Sequence, residues 1–305
     1  MRIVLLLACV LCICSIPAIA QHEADNWYFG NKAGISFKSG TPTALSDGII
    51  NTWEGCASIS DKVTGELLFY TDGVTVWNGN HQIMKDGIGL KGGKSATQSA
   101  LIVQDPANNL QYYIFTVSDF ESQKYALHYT LLSLKNPSGE IISKNNLLLN
   151  NVSEKLTGTI DCSGMGFWVV AHHRSNSSFY SFHLTATGVN PLPVISAYVS
   201  EITNFNAGYM KISPDRSKLG LIASAGEYIA LFSFNANTGI VTDYKKLNDG
   251  GNTNATYGLS FSPDNSKLYI TDFSDSIFQF EINLPDVVSI RNSIITLKGE
   301  AKYNG

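Results

Sequence analysis

One turn occurs twice in this chain at a fixed spacing, and that repeat limits the available folds more than any other feature. Tyr209-Met210-Lys211-Ile212-Ser213-Pro214-Asp215-Arg216-Ser217-Lys218-Leu219 is matched by Gly258-Leu259-Ser260-Phe261-Ser262-Pro263-Asp264-Asn265-Ser266-Lys267-Leu268, which places Pro214 and Pro263 49 residues apart. Each copy reads as a short apolar strand, a turn and a second apolar strand. Proline presets φ at the second turn position, and the aspartate can close the turn onto nearby backbone donors. A third strand follows in each copy, at residues 229–234 and 277–282. Weaker copies precede them: residues 56–61, 67–70 and 74–77, then 100–103, 112–117 and 126–129, then 158–161, 167–171 and 179–184. Repeated units that cannot bury their faces alone stack on one another, and strand, turn, strand, loop, strand is the wiring of a blade.

The expectation is an all-β chain folded as a β-propeller of about six four-stranded blades, with seven blades or an incomplete array as the other count. Strand material at residues 27–29 and 35–37 and at residues 287–290 and 294–297 is expected to form a sixth blade shared by both ends, which would remove exposed edges. No helical periodicity is sustained beyond the first twenty residues. No further Pro-Asp turn follows residue 297, so the array reads as cut short at its C-terminal end.

The N-terminal segment sets the compartment. Arg2 precedes an apolar run over residues 3–16 and then Pro17-Ala18-Ile19-Ala20, which predicts a signal peptide over residues 1–20 and a mature domain over 21–305. No other apolar run reaches the ~18 residues of a membrane span, so no membrane insertion is expected after cleavage. A formal net charge of −4 with 15% charged residues gives no basic footprint for nucleic acid. Cys9, Cys12 and Cys14 leave with the leader, and the remaining Cys56 and Cys162 are too few for a disulfide framework. Two separate buried thiols are expected in preference to a bridge.

Several runs resemble a known group of proteins. Asn26-Trp27-Tyr28-Phe29-Gly30-Asn31-Lys32-Ala33-Gly34, Glu54-Gly55-Cys56-Ala57-Ser58-Ile59-Ser60-Asp61, residues 68–78 and residues 97–103 resemble the N-terminal region of secreted Bacteroidota proteins with YVTN-like or WD-repeat-like propellers. These are often labelled gliding-motility-associated or type IX secretion cargo, and many continue into PKD-like repeats and a sorting domain that this sequence does not contain. The resemblance implies a propeller at the cell envelope and carries over no catalytic residue.

The candidate chemistry falls into four sets. Asp61, Asp105, Asp215 and Asp264 recur at blade turns, and such a ring of carboxylates could hold Ca²⁺; turn capping is the competing role and is favoured. His172 and His183 are the histidine candidates for a metal, although the adjacent His172 and His173 point to opposite faces of a strand. Trp53 and Trp77 are candidate binding-surface residues, because aromatic rings stack on sugars and partner side chains. Asp275-Ser276-Ile277 fits an acceptor pattern for O-glycosylation at Ser276.

The expected function is therefore an exported, monomeric, non-enzymatic module that binds an envelope protein or glycan without a cofactor. A metal-dependent hydrolase or lyase of lactonase type is the first alternative. An N-terminal fragment of a larger adhesin is the second.

Overall fold

The computed structural model describes residues 22–198, 207–223, 228–248, 256–273 and 276–298. The expected leader and Asp275 of the glycosylation pattern lie outside them. Five antiparallel meanders and one smaller sheet make up the molecule, the first two meanders being joined into one eight-stranded sheet by a parallel bridge between Lys85 and Glu140. The first sheet holds β1 (Asn26–Phe29), β2 (Ala33–Ser36) and β3 (Thr43–Leu45). Blade A holds β4 (Ala57–Ser60), β5 (Leu67–Thr71), β6 (Thr75–Asn78) and β7 (Ile83–Ile88). Blade B holds β8 (Ala100–Asp105), β9 (Asn108–Val117), β10 (Ala126–Ser133) and β11 (Glu140–Asn150). In blade C, β12 (Val152–Ile160), β13 (Phe167–His173) and β14 (Ser178–Thr185) are followed by β15 (Gly188–Val189) and β16 (Val194–Ala197), which share the outer edge of β14. Blade D holds β17 (Met210–Ile212), β18 (Lys218–Ala223), β19 (Tyr228–Asn235) and β20 (Ile240–Lys246). Blade E holds β21 (Thr256–Phe261), β22 (Lys267–Asp272), β23 (Ser276–Glu281) and β24 (Ile295–Lys298).

Five clusters of buried side chains glue consecutive sheets together. They join the first sheet to A, A to B, B to C, C to D and D to E. Alternation along a strand explains how one run serves two interfaces. In β13, Trp168 and Val170 face blade D while Val169 and Ala171 face blade B. A blade sandwiched on both sides thus needs a continuous apolar run, and each large side chain buried this way contributes about 1.5–3 kcal/mol.

The repeated turn is duplicated atom for atom. Ser213 Oγ donates to Asp215 Oδ1 at 2.6 Å and accepts from Lys218 N at 2.9 Å; Ser262 Oγ meets Asp264 Oδ1 and Lys267 N at the same distances. Arg216 and Asn265 take up the matching left-handed backbone at φ 64° and 59°.

Two expectations at the ends change. Among the described residues, β1–β3 pair only with one another, and β24 pairs with β23 inside blade E, so the two ends do not share a sheet. Residues 287–290, expected as a strand, lie in α1 (Val287–Asn292). Asp286 caps it by accepting from Ser289 N at 2.9 Å, and Ile290 is buried against blade E. A helix of under two turns has no periodicity to read. No helix among the described residues is long and apolar enough to cross a membrane.

Candidate functional site

The blades give the molecule two unlike faces. On the turn face, each inner strand (β4, β8, β12, β17, β21) ends and folds back into its neighbour. On the loop face, the inner strands begin, and the longer connections gather.

The turn face takes up the predicted carboxylates, and each has a local use. Asp61 Oδ1 accepts from Val63 N and Thr64 N at 2.9 and 2.8 Å, bonds that hold its pKa below the usual range. Asp105 Oδ1 accepts from Ala107 N at 2.9 Å. Burial works to raise Asp215, but hydrogen bonds from Ser213 and Ser217 outweigh it and lower its pKa. Bonds from the Ser262 hydroxyl and from Ser266 hold Asp264 down at about 2. Turn capping therefore accounts for the four positions. Asp61 and Asp105 also border an open depression of about 1090 Å³ between blades A, B and C.

The histidine candidates are separated. His183 pairs across from Trp168 and stacks on it with centroids 4.1 Å apart, while its Nε2 lies 3.0 Å from Asp161 Oδ2. His172 sits four positions further along β13, roughly 13 Å away at strand rise, fully buried, with Nε2 3.0 Å from Tyr198 Oη. Burial, with Lys155 nearby, drives its pKa well below the ordinary value. Among the described residues, no group of three or more His, Cys, Asp or Glu side chains could hold a metal ion. Cys56 and Cys162 are both free; Cys56 is half-buried, with burial pushing its thiol up to about 11, whereas Cys162, expected to be buried, is exposed.

The two tryptophans part company. Trp77 is 7% exposed and stacks on Tyr70 in the first interface, so its ring is core and not binding surface. The reason is register: Trp77 lies opposite Tyr70 on β5, on the face that meets Tyr28. Trp53 is 84% exposed on the loop face. Its backbone and that of Glu54 are pinned, both amides donating to Lys94 O at 3.2 Å. Gly55 makes this docking possible, since a Cβ there would lie 2.2 Å from Ser99 N. Ser276 is half-buried at the start of β23, its amide donating to Asp272 Oδ1 at 2.8 Å.

Beside Trp53, polar side chains from several blades meet across the loop face. Tyr257 Oη donates to Glu54 Oε2 at 2.5 Å and lies 3.0 Å from Thr97 Oγ1. Buried Glu154 accepts from Thr97 N at 3.1 Å, Thr97 Oγ1 at 3.0 Å and Phe120 N at 2.7 Å. The Gln98 amide crosses from blade B to blade D, donating to Met210 O and accepting from Met210 N, both at 2.9 Å. Lys155 is fully buried, with Nζ donating to Ala207 O at 2.6 Å, and burial pulls its pKa down to about 7 against the opposing pull of Glu154. Desolvation raises Glu154 as well, against its hydrogen bonds. Glu54 is raised by desolvation and by Glu121 and Asp119, with the Tyr257 bond opposing. Thr97, Glu154 and Lys155 are buried in this network, and the exposed side chains lie on the rim around it.

That rim is aromatic and acidic. Phe273 is 66% exposed with its ring 5.1 Å from Tyr257. Phe120 is exposed beside Tyr125, over which the Arg174 guanidinium lies at 4.0 Å. Trp53 and Glu54 were legible in the sequence as a loop tryptophan beside an acidic residue. Thr97, Gln98, Glu154 and Tyr257 were not, because their shared place at the start of an inner strand emerges only once the weak upstream copies are aligned. One signal was available: the charged pair Glu154-Lys155 inside a strand.

No protein-family model and no curated protein matches this chain. Solved structures do. A 6-phosphogluconolactonase candidate from Bacteroides uniformis superposes with a TM-score of 0.50 at 13% identity, over 83% of this chain and 75% of that one. Hsv2p of Kluyveromyces lactis gives 0.49 at 8% identity, over 92% and 82%. The β-propeller domain of Swd1 from Myceliophteria thermophila gives 0.47 at 11%, over 91% and 87%. This chain has a propeller fold. At such identities the likeness carries nothing about activity, which rests on the site alone.

Proposed function

We propose that this chain is an exported propeller that binds an envelope protein or glycan through its loop face. The observation that carries the reading is the pairing of exposed aromatic rings, Trp53 and Phe273, with a rigid polar plug beneath them. Rigid aromatic anchors give contact area at low entropic cost, and a fixed backbone avoids ordering losses on binding. Export and envelope location rest on the N-terminal segment and on the resemblance to secreted Bacteroidota propellers. A glycan array and envelope pull-downs with the mature chain and its Trp53→Ala and Phe273→Ala variants test the reading. Binding that both variants lose, with unchanged melting temperature, supports it; partners captured equally well by both variants refute it.

A further inference from the structure

The hairpin turns of the turn face divide into two groups. In blades D and E the residues after the capping aspartate are Arg216-Ser217 and Asn265-Ser266, polar as a turn in water requires. In blades A, B and C an aliphatic side chain stands out at the turn instead: Val63 is 74% exposed, Met165 75%, and Leu110 is exposed at the start of β9. Turn closure does not call for these side chains, because it rests on the residue two positions earlier. Asp61 Oδ1 accepts from Val63 N at 2.9 Å, Asn108 Oδ1 from Leu110 N at 3.0 Å and Ser163 Oγ from Met165 N at 3.1 Å. Three aliphatic side chains are thus held on fixed backbone with no local use.

All three border the same depression of about 1090 Å³, together with Ile160, Phe167 and Tyr112. A single exposed aliphatic residue is ordinary, whereas several around one concavity mark a contact surface. Pinned turns also spare a ligand the cost of ordering them.

Charge narrows the class of occupant. Three carboxylates, Glu23, Asp61 and Asp105, border the depression against one cation, Lys62. Capping engages Oδ1 of Asp61 and of Asp105, and its bonds hold Asp61 below the usual carboxylate range. The negative field reaches the wall: burial is the main cause that raises the Tyr112 hydroxyl, and Asp61 and Glu23 raise it further against the bond from Gln104. Such a surface repels nucleic acid and anionic lipid. Its exposed apolar groups are aliphatic, whereas sugars stack on open aromatic faces. A polypeptide that mixes Lys or Arg with apolar residues satisfies both features, since the long stems of Lys and Arg pack on apolar surface while their heads meet carboxylates. The formal net charge of −4 favours its approach.

We propose that the depression ringed by Val63, Leu110 and Met165 is a second docking site whose occupant is a basic, apolar peptide segment of a partner protein. It lies on the face opposite the Trp53 surface. The inference goes beyond the loop-face binding function and stands without it.

A phage-displayed library of random short peptides serves as the probe, panned on the chain of residues 21–305 after depletion on its Val63→Asp/Met165→Asp variant. The recovered peptides are expected to combine Lys or Arg with apolar residues. Synthetic copies should bind the unaltered chain about tenfold or more tighter than the variant, and more weakly as salt rises. A Val63→Ser/Met165→Ser pair keeps the turn bonds and removes only the apolar groups, so it must weaken binding as well while its melting temperature stays unchanged. Recovery of no peptide after depletion, recovery of acidic or uncharged peptides, or equal binding by the serine pair would each overturn the proposal. So would a peptide-free dimer that the aspartate variant abolishes, because a second copy would then be the occupant.

Discussion

The turn face and the loop face are built from the same strands yet differ in what most of their carboxylates do, although Arg216 and Asn265 also reach between blades on the turn face. On the turn face, carboxylates satisfy the backbone within their own turn, as Asp215 does for Ser217 N at 3.0 Å. On the loop face, side chains reach across the molecule, as when Tyr257 meets Glu54 or Gln98 meets Met210. A local bond can be repeated in every blade because it depends only on its own sequence. A long-range bond is unique to its place in the ring, which is where a singular binding surface can arise.

Breaking the loop-face network should cost most. Glu154→Ala leaves Thr97 N and Phe120 N without their acceptor and Lys155 without its nearby negative charge, and is expected to destabilise by about 3 kcal/mol, about 5 °C in a thermal melt. An unshifted melting temperature would show that the plug is incidental.

The buried histidine of blade B comes next. Burial, with Lys91 and Lys124 near, pulls His128 down to about 4. Its folded pKa is thus below its unfolded value near 6.5, so the neutral form's stability is fully present above about 6.5 and is lost as pH falls towards 4. That amounts to about 3 kcal/mol across the window. Urea titrations at pH 7 and pH 4.5 should show the loss, and His128→Leu should flatten it.

On the turn face, Asp161→Ala removes the acceptor for Ser163 Oγ at 2.6 Å and the partner of His183, an expected loss of about 2 kcal/mol. Those bonds outweigh burial and hold the Asp161 carboxyl at about 2. Its contribution is present above pH 3.8 and falls away as pH drops towards 2, which a melting series between those values checks. Such a loss should leave partner binding intact, sharpening the contrast between the faces.

How much of this was legible follows the same division. The Ser-Pro-Asp turns, the strand order and the use of the aspartates as caps could be read from residues 207–222 and 256–271, since turn chemistry is local. Trp77 could not be assigned, because whether a strand tryptophan meets solvent or Tyr70 depends on which sheet packs beside it. The separate fates of the two chain ends were hidden for a related reason: strand propensity at residues 27–29 and 294–297 does not name a pairing partner. Residues 287–290 read as a strand because of the β-branched pair Val287-Val288, and the helix capped by Asp286 is too short to announce itself by periodicity.

The smallest expected stability change belongs to the residue at the centre of the proposed binding surface. Trp53→Ala should alter folding stability by no more than about 0.5 kcal/mol, because its ring is almost wholly in solvent. The decisive measurement is therefore partner affinity and melting temperature recorded together for Trp53→Ala and Asp161→Ala. The two-face account predicts that Trp53→Ala loses binding and keeps its melting temperature while Asp161→Ala does the reverse; binding that survives in Trp53→Ala and fails in Asp161→Ala would contradict it.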